Sequence, residues 1–148
     1  MQISENKTFD ELKIGDSAYV ERTVTDEDIK LFAKISGDKN PIHLDDEYAK
    51  NSMFKERIAH GMLGAAWISA VLSKFPGAGS IYLNQSLSFR RPMKIGDNIR
   101  TEITIKELKP EKKRVIFDCK AINQKGETVL LGEGEIIAPS EKIGEKIW

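Results

Sequence analysis

After residue 75 the spacing of apolar residues changes from a helical period to an alternating one. Thr25-Asp26-Glu27-Asp28 reads as a helix start, with Thr25 as N-cap and an acid in the first turn. Ile29, Phe32, Ala33 and Ser36 then fall on one face, and Gly37 is a natural stop. A polar stretch follows, SGDKNPIHLDDEYA from Ser36 to Ala49. It reads as a loop that runs into a short helix starting near Asp45 or Asp46 and passing through Tyr48 and Ala49. Residues 60–75, HGMLGAAWISAVLSKF, are apolar almost all round. A surface helix keeps a polar face, so this one should be wrapped by other elements. Pro76-Gly77 ends it.

From Ile81 onward the period is two. Ile81, Leu83, Leu87 and Phe89 alternate with Tyr82, Asn84, Ser86, Ser88 and Arg90, which predicts a half-buried strand. Ile99, Thr101, Ile103 and Ile105 repeat the pattern, as do Val115, Phe117, Cys119 and Ala121. Thr128 to Ile137 forms a fourth strand with less regular alternation, and an early strand is expected over Asp16 to Thr23. Turn residues separate them: Pro92 with Gly96-Asp97, Lys109-Pro110, and Gln124-Lys125-Gly126. Consecutive strands with short connections imply an antiparallel sheet. One apolar helix beside one such sheet is an α+β domain. The simplest packing curls the sheet around residues 60–75, which is the hotdog fold.

Composition narrows the class. The chain has 148 residues, one domain's worth, with 40% hydrophobic residues. Lys+Arg and Asp+Glu are 23 each, so the basic surplus typical of a nucleic-acid binder is missing. A single cysteine, Cys119, excludes an internal disulfide and a cysteine zinc site. The opening MQISENKTFDEL has neither the basic lead nor the apolar core of a signal peptide. The longest uncharged stretch, Ile58 to Ser73, is shorter than the ~20 residues of a membrane helix. A cytoplasmic protein is the expectation.

Candidate chemistry lies in the loop and at the start of the apolar helix. Asp38 and His43 flank Asn40-Pro41, and the proline stiffens the turn. A carboxylate and an imidazole presented to one point suit proton transfer, since His titrates near neutrality and burial raises a carboxylate's pKa. The alternative is an ordinary surface turn, capped by Asp with His incidental. At Ala59-His60-Gly61-Met62, the free amides of a helix N-terminus could stabilise a developing oxyanion. Equally, Gly61 could permit close packing, and His60 could serve packing or capping.

GDKNPIH, followed by HGML from His60, resembles the MaoC-like hydratase family, closest to (R)-specific enoyl-CoA hydratases. The likeness extends from about Phe9 to Ile137 and includes GSIYLNQSLSFRRP and KIGD. The resemblance implies a hotdog fold, usually dimeric, acting on acyl-CoA or acyl-carrier-protein thioesters with no metal and no redox cofactor. Position by position, it implies Asp38 and His43 as the catalytic pair and the Gly61 amide as the oxyanion donor. It implies Asn40 as a brace of the loop or of bound water, Ser69 in the helix as an orienting residue, and His60 beside the substrate. The implied reaction is reversible addition of water to a trans-2-enoyl thioester, giving an (R)-3-hydroxyacyl thioester. Two rivals remain at this point: a hotdog thioesterase, and a non-catalytic acyl-thioester binding module.

Edge pairing between two copies would cover the rim of so small a sheet, which together with the family habit predicts a homodimer. The two histidines lie on separate segments with no cysteine to join them, so no metal site is expected. Arg90, Arg91 and Lys94 could meet coenzyme A phosphates. Lys106, Lys109, Lys112, Lys113 and Arg114, diluted by Glu107 and Glu111, read as a solvated hairpin. Cys119 reads as a small buried residue.

Overall fold

The computed structural model describes residues 2–3, 5–144 and 146–147. In chain order the elements are β1 (Gln2–Ile3), β2 (Ser17–Thr23), α1 (Asp26–Ser36), α2 (Pro41–Leu44), α3 (Asp46–Lys50), α4 (Gly61–Lys74), β3 (Ile81–Phe89), β4 (Asn98–Lys109), β5 (Arg114–Ile122), β6 (Thr128–Ile137) and β7 (Lys146–Ile147). Five strands form one antiparallel sheet in the order β2-β4-β5-β6-β3, and β1 pairs separately with β7. Helix α4 touches both edge strands, β2 and β3, as well as β4 and β6. The sheet therefore curls around the helix, giving the expected hotdog architecture.

The core follows the alternation. Ile99, Thr101, Ile103 and Ile105 of β4, and Val115, Phe117, Cys119 and Ala121 of β5, are all buried. They meet Leu63, Trp67, Ile68, Val71 and Leu72 of α4. Burial pushes the Cys119 thiol up to about 11, so it is an inert core residue. Gly134 of β6 has no side chain because the Phe117 ring occupies that space.

Helix α1 starts and stops where its sequence says. The Thr25 hydroxyl accepts the Asp28 amide proton at 3.1 Å, and Gly37 closes the helix at φ +79°. The lysine-rich hairpin is a solvated, paired surface as expected: Lys106 reaches Glu133 at 2.9 Å, and Lys109 and Arg114 flank Glu135.

The strand at 81–89 departs from expectation. Its pairing with β6 skips from Tyr82↔Ile136 to Asn84↔Glu135, so Leu83 is an extra residue. Such a bulge resets which parity faces inward. Tyr82 and Leu87 pack on the core, whereas Ile81, Leu83 and Phe89 are exposed. The strand is also an edge strand, reached by crossing the sheet rather than by pairing with the next strand in sequence.

Candidate active site

The polar stretch after α1 is not a bare loop. The Ser36 hydroxyl accepts the Asp38 amide at 3.1 Å, and the Asp38 carboxylate accepts the Asn40 amide at 3.2 Å. The Asn40 side chain in turn accepts the Ile42 amide at 3.1 Å. Pro41, with its φ already near the helical value, follows that cap. The outcome is the single-turn helix α2, which turns His43 inward to 8% exposure while the Asp38 side chain stays 52% exposed. Asn40 thus braces the segment through its cap. Desolvation falls on the imidazole rather than on the carboxylate, the reverse of what the sequence suggested.

Asp38 Oδ2 and His43 Nε2 are 3.9 Å apart. His43 Nδ1 lies 2.8 Å from the Ile58 carbonyl, which can only accept, so Nδ1 carries the proton. Neutral His43 therefore presents a bare Nε2 towards Asp38. Burial, its largest influence, holds His43 below the ordinary histidine range, against the opposing pull of the Ile58 hydrogen bond. The neighbouring His60 lowers it further, and Asp38 raises it.

His60 caps α4 without a side-chain capping bond. Its Nε2–H donates instead to the Asp38 carbonyl at 2.9 Å. Its ring stacks on His43, centroids 3.8 Å apart and planes 24° apart, with Phe32 on another side at 5.0 Å. Buried Nδ1 of His60 has no hydrogen-bond partner among the described residues. His60 therefore walls one side of His43 and holds the Asp38 backbone.

Gly61 opens α4, where amides lack partners in the helix. A Cβ there would lie 2.8 Å from the Phe89 ring, so only glycine leaves the amide open and the ring in place. Gly61, Ile58, Phe54, Phe89 and Met93 line an apolar cleft of about 450 Å³. Asp38 and His43 are not among its lining residues; the cleft meets them through the Ile58–Gly61 segment that holds both. Arg90 and Arg91 border the cleft and an adjoining polar depression, where Arg91 pairs with Glu127 at 3.2 Å.

Ser69 is not brought to the pair. It lies on the exposed side of α4, about 12 Å along the axis from Gly61. No hydrogen bond joins it to Asp38 or His43 among the described residues. It lines a separate groove between α4 and β3 with Phe32, Met62, Ala65 and Tyr82. Sequence reasoning passed over Arg57, whose guanidinium is buried against the His43 backbone. The available signal was a charged residue standing at the edge of the uncharged run from Ile58.

Asp38, His43 and His60 bring ligand-type atoms within 4.8 Å of one another. Each ring has committed one nitrogen to a carbonyl, and stacked rings set their in-plane lone pairs side by side rather than converging. The donor set suits proton transfer better than metal ligation.

Residues 13–125 match the family described as MaoC like domain. The chain is similar to an (R)-specific enoyl-CoA hydratase of Rhodospirillum rubrum, 45% identical over 89% of this chain and 92% of the relative. It is also similar to a 3-hydroxybutyryl-CoA dehydratase of Methylorubrum extorquens, 38% identical over 90% of this chain and 85% of the relative. Among solved structures, the unliganded R-hydratase PhaJ1 of Pseudomonas aeruginosa superposes with a TM-score of 0.93 at 44% identity, covering 100% of this chain and 94% of that one.

Proposed function

The chain belongs to the MaoC-like domain family, and from that premise we propose that it is a hydro-lyase interconverting trans-2-enoyl thioesters and (R)-3-hydroxyacyl thioesters. The observation that carries this reading is the Asp38–His43 gap of 3.9 Å beside the open amide of Gly61. One water at about 2.8 Å from both acceptors fits that gap, with an angle of about 90° at its oxygen. The thioester carbonyl accepts the Gly61 amide proton, which draws electron density from Cβ. The water oxygen bonds to Cβ as a proton leaves it for the pair. The displaced electron pair rests on the carbonyl oxygen, and the enolate so formed is stabilised by the same amide. It collapses by taking a proton from the pair at Cα, on the face where oxygen entered. One hydrogen of water ends on Cα and the hydroxyl on Cβ, so the step is redox-neutral and needs no redox cofactor. Asp38 and His43 share these protons as a coupled pair.

The substrate is the thioester of coenzyme A or of an acyl carrier protein, and the relatives' names favour the former. Residues 1–148 act as one domain. A homodimer, paired along β3, is supported by the exposed Ile81, Leu83 and Phe89 on that edge strand. Among the described residues, no helix is long and apolar enough to cross a membrane. A lone, buried cysteine fits the reducing cytoplasm. The test is incubation with crotonyl-CoA and longer enoyl thioesters on both carriers. The enoyl ultraviolet band should fade, chiral analysis should give the (R)-alcohol, and no free thiol should appear. Thiol release in step with substrate loss would make the protein a thioesterase instead.

A further inference from the structure

Arg57 is buried, at 8% exposure, in the connection between α3 and α4. Its Nε–H donates to the His43 carbonyl at 2.7 Å. Its Nη2 donates to Asp26 in the first turn of α1, and its Nη1 lies 3.8 Å from Asp46 of α3. The two acids are at helix N-termini, where negative charge is favoured, so each helix end supplies an anchor for the cation. Asp26 is held below the usual carboxylate range by hydrogen bonds from Lys30 and then from Arg57.

The next residue continues the grip. The Ile58 carbonyl takes the His43 Nδ1 proton at 2.8 Å, and the Ile58 amide donates to the Ile42 carbonyl at 3.3 Å. Two residues further on, His60 holds the Asp38 carbonyl. The α2 turn has only four residues, so it cannot hold its own position by helical hydrogen bonding. Its position comes from outside, and among the described residues the charged contribution comes from Arg57.

We propose that Arg57 is a positioning residue for the reaction. Through the His43 carbonyl it fixes the height of the imidazole over Asp38 and keeps the ring buried, and so sets both the Asp38–His43 gap and the basicity of Nε2. A guanidinium is needed because one rigid fork must donate in different directions at once; a lysine ammonium matches the charge but not the fork.

The groups that face His43 are Asp38, His60 and, across the backbone, Arg57. Arg57→Lys leaves that set of charges intact. Loosening α2 would admit water to the ring, relieve its desolvation and raise its titration midpoint. Misplacing a catalytic group by about 1 Å can cost up to ~100-fold in rate. For Arg57→Lys the expected result is kcat lower by about that factor, KM within twofold, and an acid limb of the rate profile moved to higher pH. NMR titration of the His43 imidazole in the parent and in Arg57→Lys should show the same upward shift. This arm needs no substrate, so it stands even where the hydro-lyase reading fails in the parent. Arg57→Met, followed with a thermal melt, separates folding from positioning. The proposal is overturned by kcat loss that only follows the unfolded fraction, or by a His43 titration that Arg57→Lys leaves unmoved.

Discussion

Strands β4 and β5 and the segment from Ser36 to Gly61 are both held in place, but by opposite means. In β4 and β5 the inward side chains are almost all apolar, four positions in each strand are buried, and the two backbones pair along one ladder interrupted by a single bulge. Between Ser36 and Gly61 the order comes from polar side chains bonding to backbone: Ser36, Asp38, Asn40, His43, Arg57 and His60 each hold an amide or a carbonyl. Burial is non-directional and tolerates small shifts, whereas a hydrogen bond fixes a distance and an angle. The molecule thus stores its stability in the strands and its geometry in the segment.

The largest expected effect tests whether those functions separate. Asp38→Asn and His43→Gln should each lower kcat by ~10²–10⁴-fold while the protein stays folded in a thermal melt. The double variant should lose far less than the product of the singles, because both groups are proposed to hold one water. An Asp38→Asn enzyme within threefold of the parent would refute the proposed mechanism.

Phe117→Ala is the converse. It should cost ~3–5 kcal/mol of stability by emptying space around the α4 core. Well below the new melting temperature, kcat per folded molecule should stay within a fewfold of the parent. Denaturant titration beside steady-state kinetics reads both.

Asn40→Ala blurs the division on purpose. The cap contributes ~0.5–2 kcal/mol, a modest change in stability, but it anchors the turn that carries His43. The drop in kcat should exceed what the lost stability explains; equal proportions would mean that α2 is set by packing alone.

The smallest effect is on stability against pH. His43 is lowered in the folded protein from its ordinary 6.5. Below that pH the unfolded chain binds the proton first, so stability falls as pH drops from about 6.5 through the folded value, and rises with pH across the same window. His43→Gln should flatten that slope, as measured by urea midpoints at stepped pH.

Much of this was legible before any coordinates. Helix α1 was readable from Thr25 to Gly37, because both caps act within a few residues of sequence. The strands were readable from a period of two, and the wrapped helix from its missing polar face. The GDKNPIH and HGML motifs pointed to the segment that the fold brings together. What was hidden depended on partners distant in sequence or on backbone atoms. The α2 turn needs the Asn40 cap plus support from Arg57 and Ile58 to outweigh a loop. The Ile58 carbonyl that fixes the tautomer of His43 has no signature, since any residue supplies a carbonyl. The bulge at Leu83 is set by β6, so alternation alone put Ile81 and Leu83 on the wrong side. Ser69 was expected by likeness to orient the pair, yet helical rise carries it two turns away.

The close approach of Phe89 to Gly61 ties the reaction to the population of molecules around it. Phe89 ends the edge strand through which two copies are proposed to pair, and its ring packs where a side chain on Gly61 would stand, beside the residue whose amide is the proposed oxyanion donor. Whatever seats that strand also seats the ring. If two copies pair through that strand, specific activity should depend on the protein's own concentration. A dilution series, with turnover per molecule falling along the same curve as the sedimentation-derived dimer fraction, would read assembly directly from catalysis.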